Sequence, residues 1–139
     1  MPSCGEVWNL PLDFRDQKFG CEIAKTGITR QQAAQAVGQL FGTAARRTGE
    51  SRLYDPWEVK DADGKKWRFV YDGSIQATRR VGRRQEPAGD TAYKVELNSP
   101  VLTYAEMGKL QEGVSALRHA GAVVNSSCGL HVHVDAANH

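Results

Sequence analysis

The segment Leu130-His131-Val132-His133-Val134-Asp135 constrains this chain more than any other. Side chains alternate across a β-strand, so His131, His133 and Asp135 share one face while Val132 and Val134 share the other. Two imidazoles at this spacing can grip one cation, and a carboxylate can complete the set. The plainer alternative is a pair of half-exposed histidines on a sheet surface.

The rest of the chain supplies a sheet for that strand to join. Phe19 to Thr26 reads as a strand, with Glu22 flanked by Cys21 and Ile23. Trp57 to Lys60 and Lys66 to Tyr71 alternate apolar and polar around Asp63-Gly64, a β-hairpin signal. Asp72-Gly73-Ser74 follows as a turn. Tyr93, Val95 and Leu97 share one side of a further strand, opposite Lys94, Glu96 and Asn98, and Ser99-Pro100 breaks it. Ala122 to Val124 reads as a short extra strand.

Two helices interrupt these strands. Thr29 with Gln32 forms a capping-box pattern ahead of Ala33, Ala36, Val37 and Leu40, and Gly42 is the stop. Thr103 with Glu106 forms another, ahead of Met107, Leu110, Val114 and Leu117, ending at Gly121. The order β-α-β-β-β-α-β, with a hairpin in its middle, predicts an α+β domain whose helices lie on one face of a mainly antiparallel sheet. At 139 residues there is room for one domain. Residues 1–18 read as a leader that packs Trp8, Leu10 and Leu12 against a domain over 19–139. Residues 76–91 show no period and read as a mobile loop.

Bulk composition narrows the function classes only a little. No apolar run approaches the roughly 20 residues of a membrane span, and the first residues lack a signal-peptide pattern. Three cysteines, an odd number without framework spacing, fit a reducing cytoplasm. The net charge of +2 is modest, but Arg79, Arg80, Arg83 and Arg84 crowd together with no acid between them. They form either a solvated loop or a contact for phosphate or nucleic acid.

The carboxylates carry similar alternatives. Glu22 and Glu96 are either solvated sheet residues or, if they share a face with His131 and His133, oxygen ligands suited to Mg²⁺ or Mn²⁺ on nucleotide phosphates. Asp72 is either a turn-former or a member of that set. Cys128 ahead of the histidines gives a weaker zinc pattern, since no CxxC partner exists.

Taken in order, several segments resemble the amidoligase family, which is often found in phages and mobile elements. They are Phe19-Gly20-Cys21-Glu22-Ile23, Thr26-Gly27-Ile28-Thr29-Arg30, Tyr54-Asp55-Pro56-Trp57 and Asp72-Gly73-Ser74-Ile75. Val95 to Leu102, Leu117 to Ala122 and Asn125 to Val134 complete the match. The resemblance implies the carboxylate–amine ligase fold shared with glutamine synthetase and glutamate–cysteine ligase, a curved antiparallel sheet binding Mg·ATP. The implied reaction phosphorylates a carboxylate, and an amine then displaces phosphate to form an amide. By the same resemblance Glu22, Glu96, His131 and His133 match the family's metal ligands and Asp72 its Asp-Gly-Ser turn, which makes Asp72 and Glu96 the catalytic candidates. Arg79 and Arg83 are the candidates for contact with the nucleotide from the charge of their loop alone.

Two departures from the family pattern stand out. The family's first strand usually carries a second Glu two residues after the first, and here that position is Ala24. Family members also continue well past the HVHV strand, so the resemblance implies a truncated domain corresponding to the N-terminal half. Both departures open a second class of function. A non-catalytic phage or mobile-element protein could bind a host complex, for example as an inhibitor of a CRISPR nuclease, with the Arg79–Arg84 segment against nucleic acid or an acidic surface. Completion of the site by homo-oligomerisation is a further expectation.

Overall fold

A computed structural model describes residues 17–134 of the chain. Most of the expected leader, with Trp8, Leu10 and Leu12, lies outside the described residues, as does Asp135. The elements run β1 (Lys18–Lys25), α1 (Arg30–Phe41), β2 (Arg46–Arg47), β3 (Trp57–Lys60), β4 (Lys66–Val70), β5 (Thr78–Val81), β6 (Arg84–Pro87), β7 (Val95–Asn98), β8 (Leu102–Thr103), α2 (Met107–His119) and β9 (Leu130–Val134). A seven-stranded sheet has the order β2-β3-β4-β7-β1-β8, with β9 also paired to β1. Its strand pairs are all antiparallel. The architecture is α+β, a curved sheet with both helices on one face.

Local chemistry sets each element. The Thr29 hydroxyl accepts from the Gln32 N–H, and the Gln32 side chain accepts from the Thr29 N–H, so α1 begins with two otherwise orphaned donors satisfied. Gly42 ends it at φ 72°, a left-handed conformation that glycine adopts without steric cost. The second box, Thr103 with Glu106, opens a short 3-10 turn over Tyr104–Glu106 that runs straight into α2. Ala33, Ala34 and Val37 of α1 and Leu110 and Leu117 of α2 face a floor of Ile23, Val59, Trp67, Phe69, Val95 and Leu97. Trp67 is fully buried and its indole N–H donates to Asp61 Oδ2 at 3.1 Å. Truncating a tryptophan so placed costs about 3–5 kcal/mol.

The structure corrects the reading of residues 76–91. They form a hairpin, β5 against β6, with Val81 paired to Arg84 across a tight turn at Gly82-Arg83. Gly82 sits at φ 64°. Both faces of this hairpin are largely solvated, so no apolar period betrays it. Its base is fixed instead by polar bonds: the Gly27 N–H donates to the Thr78 carbonyl, and the Thr26 hydroxyl accepts from the Thr78 N–H.

Smaller corrections share one cause, the weakness of periodicity in very short elements. Ala122 to Val124 reduces to a single bridge from Val123 to Thr26. Tyr93 falls in a 3-10 turn over Thr91–Tyr93 capped by Asp90, so β7 begins at Val95. The two-residue strands β2 and β8 were not expected at all.

Candidate functional site

The sheet has one face under the helices and one face free of them, and strand parity decides which residues occupy the free face. In β1 the odd residues Cys21 and Ile23 enter the core, leaving Gly20, Glu22 and Ala24 on the opposite side. Pairing then carries that parity outward. Glu22 pairs with His131 and Gly20 with His133. On the other side of β1, Glu22 pairs with Asn98 and Ala24 with Glu96, and Asn98 pairs in turn with Arg68 of β4. Glu22, Glu96, His131 and His133 therefore meet on one polar face, the condition that the sequence alone left open.

The contacts bear this out at the level of atoms. Glu22 Oε2 lies 3.6 Å from His131 Nδ1, and Glu22 Oε1 lies 3.4 Å from His133 Nε2. Both imidazoles are well exposed, with Glu22 between them and the sheet centre. Burial pushes the Glu96 carboxyl above the ordinary carboxylate range, and the charges of Glu22 and Asp72 push it further. A hydrogen bond from Asn98 and the proximity of His131 act in the opposite direction. Among the described residues, no Lys or Arg side chain forms an ion pair with Glu22, Asp72 or Glu96.

Asp72 joins this group electrostatically while also serving its turn. Its Oδ1 accepts from the Ser74 N–H at 2.9 Å and from the Ser74 hydroxyl at 2.7 Å. One carboxylate oxygen is thus committed to backbone geometry. The structure does not bring Arg79 and Arg83 into contact with these carboxylates. Both are exposed on the β5–β6 hairpin, where Arg79 bridges Gly27 just beyond the end of β1. Cys128 approaches Asn125 Oδ1 at 3.7 Å rather than either histidine.

Two residues that the sequence reading did not single out as ligands also belong to this face. Asn98 Oδ1 and Arg68 Nε are buried and have no hydrogen-bond partner. A buried polar atom without a partner costs roughly 1–3 kcal/mol, so each is a natural point for a bound polar group to touch. The signal for Arg68 was present in Lys66-Trp67-Arg68-Phe69: it alternates against two core aromatics and must face away from them. Among the described residues, no three His, Cys, Asp or Glu side chains close tightly enough to hold an ion by themselves.

Residues 15–139 match the family model described as "Putative amidoligase enzyme". No curated protein and no solved structure matches the chain.

Proposed function

The chain belongs to the amidoligase family, and from that premise we propose that the polar face of its sheet performs ATP- and Mg²⁺- or Mn²⁺-dependent carboxylate–amine ligation. The observation that carries this reading is the convergence of Glu22, Glu96 and Asp72 beside two imidazoles, with no paired Lys or Arg among the described residues. Such a surface holds excess negative potential, which a divalent cation relieves.

The loose spacing of these ligands favours Mg²⁺ over a structural ion. Mg²⁺ keeps several waters and is usually held by one or two carboxylates plus substrate phosphates, not by a closed protein cage. The bound ion would neutralise the triphosphate and the charge that develops on transfer. Glu22 and Glu96 would be its carboxylate ligands, with His131 and His133 at the rim. The orphaned Asn98 Oδ1 offers a further oxygen, and Arg68, whose Nη2 is paired with Glu50 at 2.8 Å, would offer its unpartnered Nε to phosphate. Arg79 and Arg83 would meet the nucleotide from the hairpin, and Asp72 would orient the reacting groups through its free oxygen.

The reaction balances in two steps. A substrate carboxylate oxygen attacks the γ-phosphorus, giving an acyl phosphate and ADP. An amine then attacks the acyl carbon, loses a proton and expels inorganic phosphate. A reducing cytoplasm suits this chemistry and keeps the thiols of Cys21 and Cys128 free.

Calorimetric titration with Mg·ATP tests the reading. Glu96→Gln or Glu22→Gln should weaken binding at least about tenfold, as loss of a group that supports a metal does. Absence of any heat at millimolar nucleotide sinks the proposal.

A second reading draws on the exposed guanidinium cluster of the hairpin. Among the described residues, Arg84 alone of Arg79, Arg80, Arg83 and Arg84 approaches an acid, Glu86 at 3.8 Å. In this reading the chain is a non-catalytic phage or mobile-element protein whose hairpin binds nucleic acid or an acidic face of a host complex. Arg79→Glu with Arg83→Glu would abolish that binding, whereas Glu22→Gln, away from the hairpin, would leave it intact.

A further inference from the structure

The outer edge of β9 carries an inference that does not depend on the ligase reading. The Ala24 N–H donates to the Gly129 carbonyl at 3.0 Å, and Ile23 pairs with Leu130. In an antiparallel ladder this makes Glu22/His131 and Gly20/His133 the hydrogen-bonded pairs. The N–H and C=O groups of Leu130, Val132 and Val134 therefore point away from β1. Among the described residues no strand receives them.

The side chains of this edge are equally uncovered. Leu130 is 62% exposed, and Val132 and Val134 are each 53% exposed. Beneath them, an apolar trough of about 930 Å³ runs between β9 and α2 over Phe19, Ile23, Leu110 and Val114. Natural edge strands are usually protected by Lys, Pro, a bulge or an inward charge. Leu130-His131-Val132-His133-Val134 has none of these.

The same five residues read nearly alike in both directions about Val132. We infer that β9 is a self-pairing edge, through which two copies of this chain join their sheets antiparallel about a two-fold axis at Val132. An isologous interface requires that when one residue meets another, the reverse contact also occurs. Here Leu130 meets the partner's Val134, His131 meets the partner's His133, and Val132 meets its own copy, so every residue meets its chemical like. The backbone agrees independently. Val132, whose amide points outward, becomes the central hydrogen-bonded pair, and the His131/His133 pairs fall at non-hydrogen-bonded positions. Side chains at such positions approach most closely, with Cβ atoms about 4.5–5.5 Å apart. The partner thus adds two imidazoles to the polar face beside Glu22, and the two apolar troughs join beneath the seam. A strand of an unrelated protein would require no such symmetry.

Sedimentation equilibrium on the full chain should show a monomer–dimer equilibrium. Val132→Pro removes an outward N–H and no hydrogen bond to β1, and proline is tolerated at sheet edges, so it should weaken association at least about tenfold while the far-ultraviolet spectrum and melting temperature stay close to wild type. Where that variant fails to fold, register decides the matter. Mixing His131→Cys with His133→Cys chains should give a cross-linked dimer in excess of either variant alone. Three results overturn the inference: a monomer at every concentration, a dimer as tight in folded Val132→Pro, or cross-links no richer in the mixture. In the first of these, protection of the Val132 amide from exchange would show that the chain's own residues occupy the edge.

Discussion

Ala24 offers the most direct test of whether the polar face is assembled as described. It lies between Glu22 and Glu96, only 7% exposed, in register with Glu96. The Ser99 N–H donates to the Cys21 carbonyl, which fixes Ala24/Glu96 as a non-hydrogen-bonded pair with closely approaching side chains. Ala24→Glu would set a carboxylate roughly 5–6 Å from that of Glu96. At an effective dielectric constant near 20, two like charges at that separation repel by about 3 kcal/mol. Ala24→Gln has nearly the same volume and no charge, so it carries the steric cost alone.

The comparison that matters is therefore Glu against Gln. Without divalent cation, Ala24→Glu should melt roughly 9–15 °C below Ala24→Gln, taking about 3–5 °C per kcal/mol for a chain of this size. Mn²⁺ or Mg²⁺ should close or reverse that gap, because the added carboxylate then faces a cation in place of a like charge. Differential scanning calorimetry with and without metal reads both effects. Equal melting of the two variants in the absence of metal would refute the placement of Ala24 beside Glu96. Equal metal response would refute the cation-binding character of the face.

Two further perturbations test the framework that holds the site. Asp61 is buried and accepts from the N–H groups of Asp63 and Lys65, from the indole of Trp67 and from Lys109. Each carboxylate oxygen accepts two of these bonds, so Asp61→Asn turns two contacts into donor against donor and should cost about 2–4 kcal/mol in chemical denaturation. Although burial raises the Asp61 carboxyl, hydrogen bonds from Trp67, Lys65 and Lys109 outweigh it and hold the group below its ordinary range. A depressed folded value gives stability that is present above the unfolded value and lost as pH falls through the folded one. The Asn variant should accordingly show a shallower loss of stability on acidification below the ordinary carboxylate range, and an unchanged acid slope would contradict the assignment. Gly27 sits at φ 90°, where an added Cβ would lie 2.8 Å from the Gly121 carbonyl oxygen. Gly27→Ala should therefore destabilise by roughly 2–4 kcal/mol and speed amide exchange at Thr78.

The parts of the fold that were legible in the sequence are those whose signal is local. The caps at Thr29 and Thr103, the turn at Gly64 and the alternation of β4, β7 and β9 each announce themselves within a few residues. The shared face of Glu22, Glu96, His131 and His133 followed from alternation once the strands were known to pair. What was hidden depends on distant partners. The β5–β6 hairpin has arginines on both faces, so its order comes from Thr26 and Gly27, which are some fifty positions away in sequence (Thr26 and Thr78 are separated by 52). Arg30 is another such case: it reads as an ordinary first-turn arginine, yet it is buried, bonded to the carbonyls of Thr91 and Lys94 and to Asp55. Asn98 and Arg68 became site residues only when register placed their unpartnered atoms on the polar face.

The phase of β1 governs all of this. A slip of one residue would exchange its faces, sending Glu22 into the core and Ile23 onto the polar side. Pairing on both edges resists that slip, but β7 ends at Asn98 and cannot hold the first half of β1 by an unbroken ladder. Ser99 bridges the gap. Its N–H donates to the Cys21 carbonyl, and its hydroxyl accepts from the Cys21 N–H at 2.9 Å while donating to the Pro100 carbonyl. A side chain here supplies the acceptor that the strand's backbone no longer offers, just before β8 takes over at Phe19 and Lys18. Pro100 breaks the strand, and Ser99 keeps the register across the break. The Asn98-Ser99-Pro100 sequence is therefore more than a strand terminator: it fixes which side of β1 faces the core, and hence where Glu22 meets the histidines.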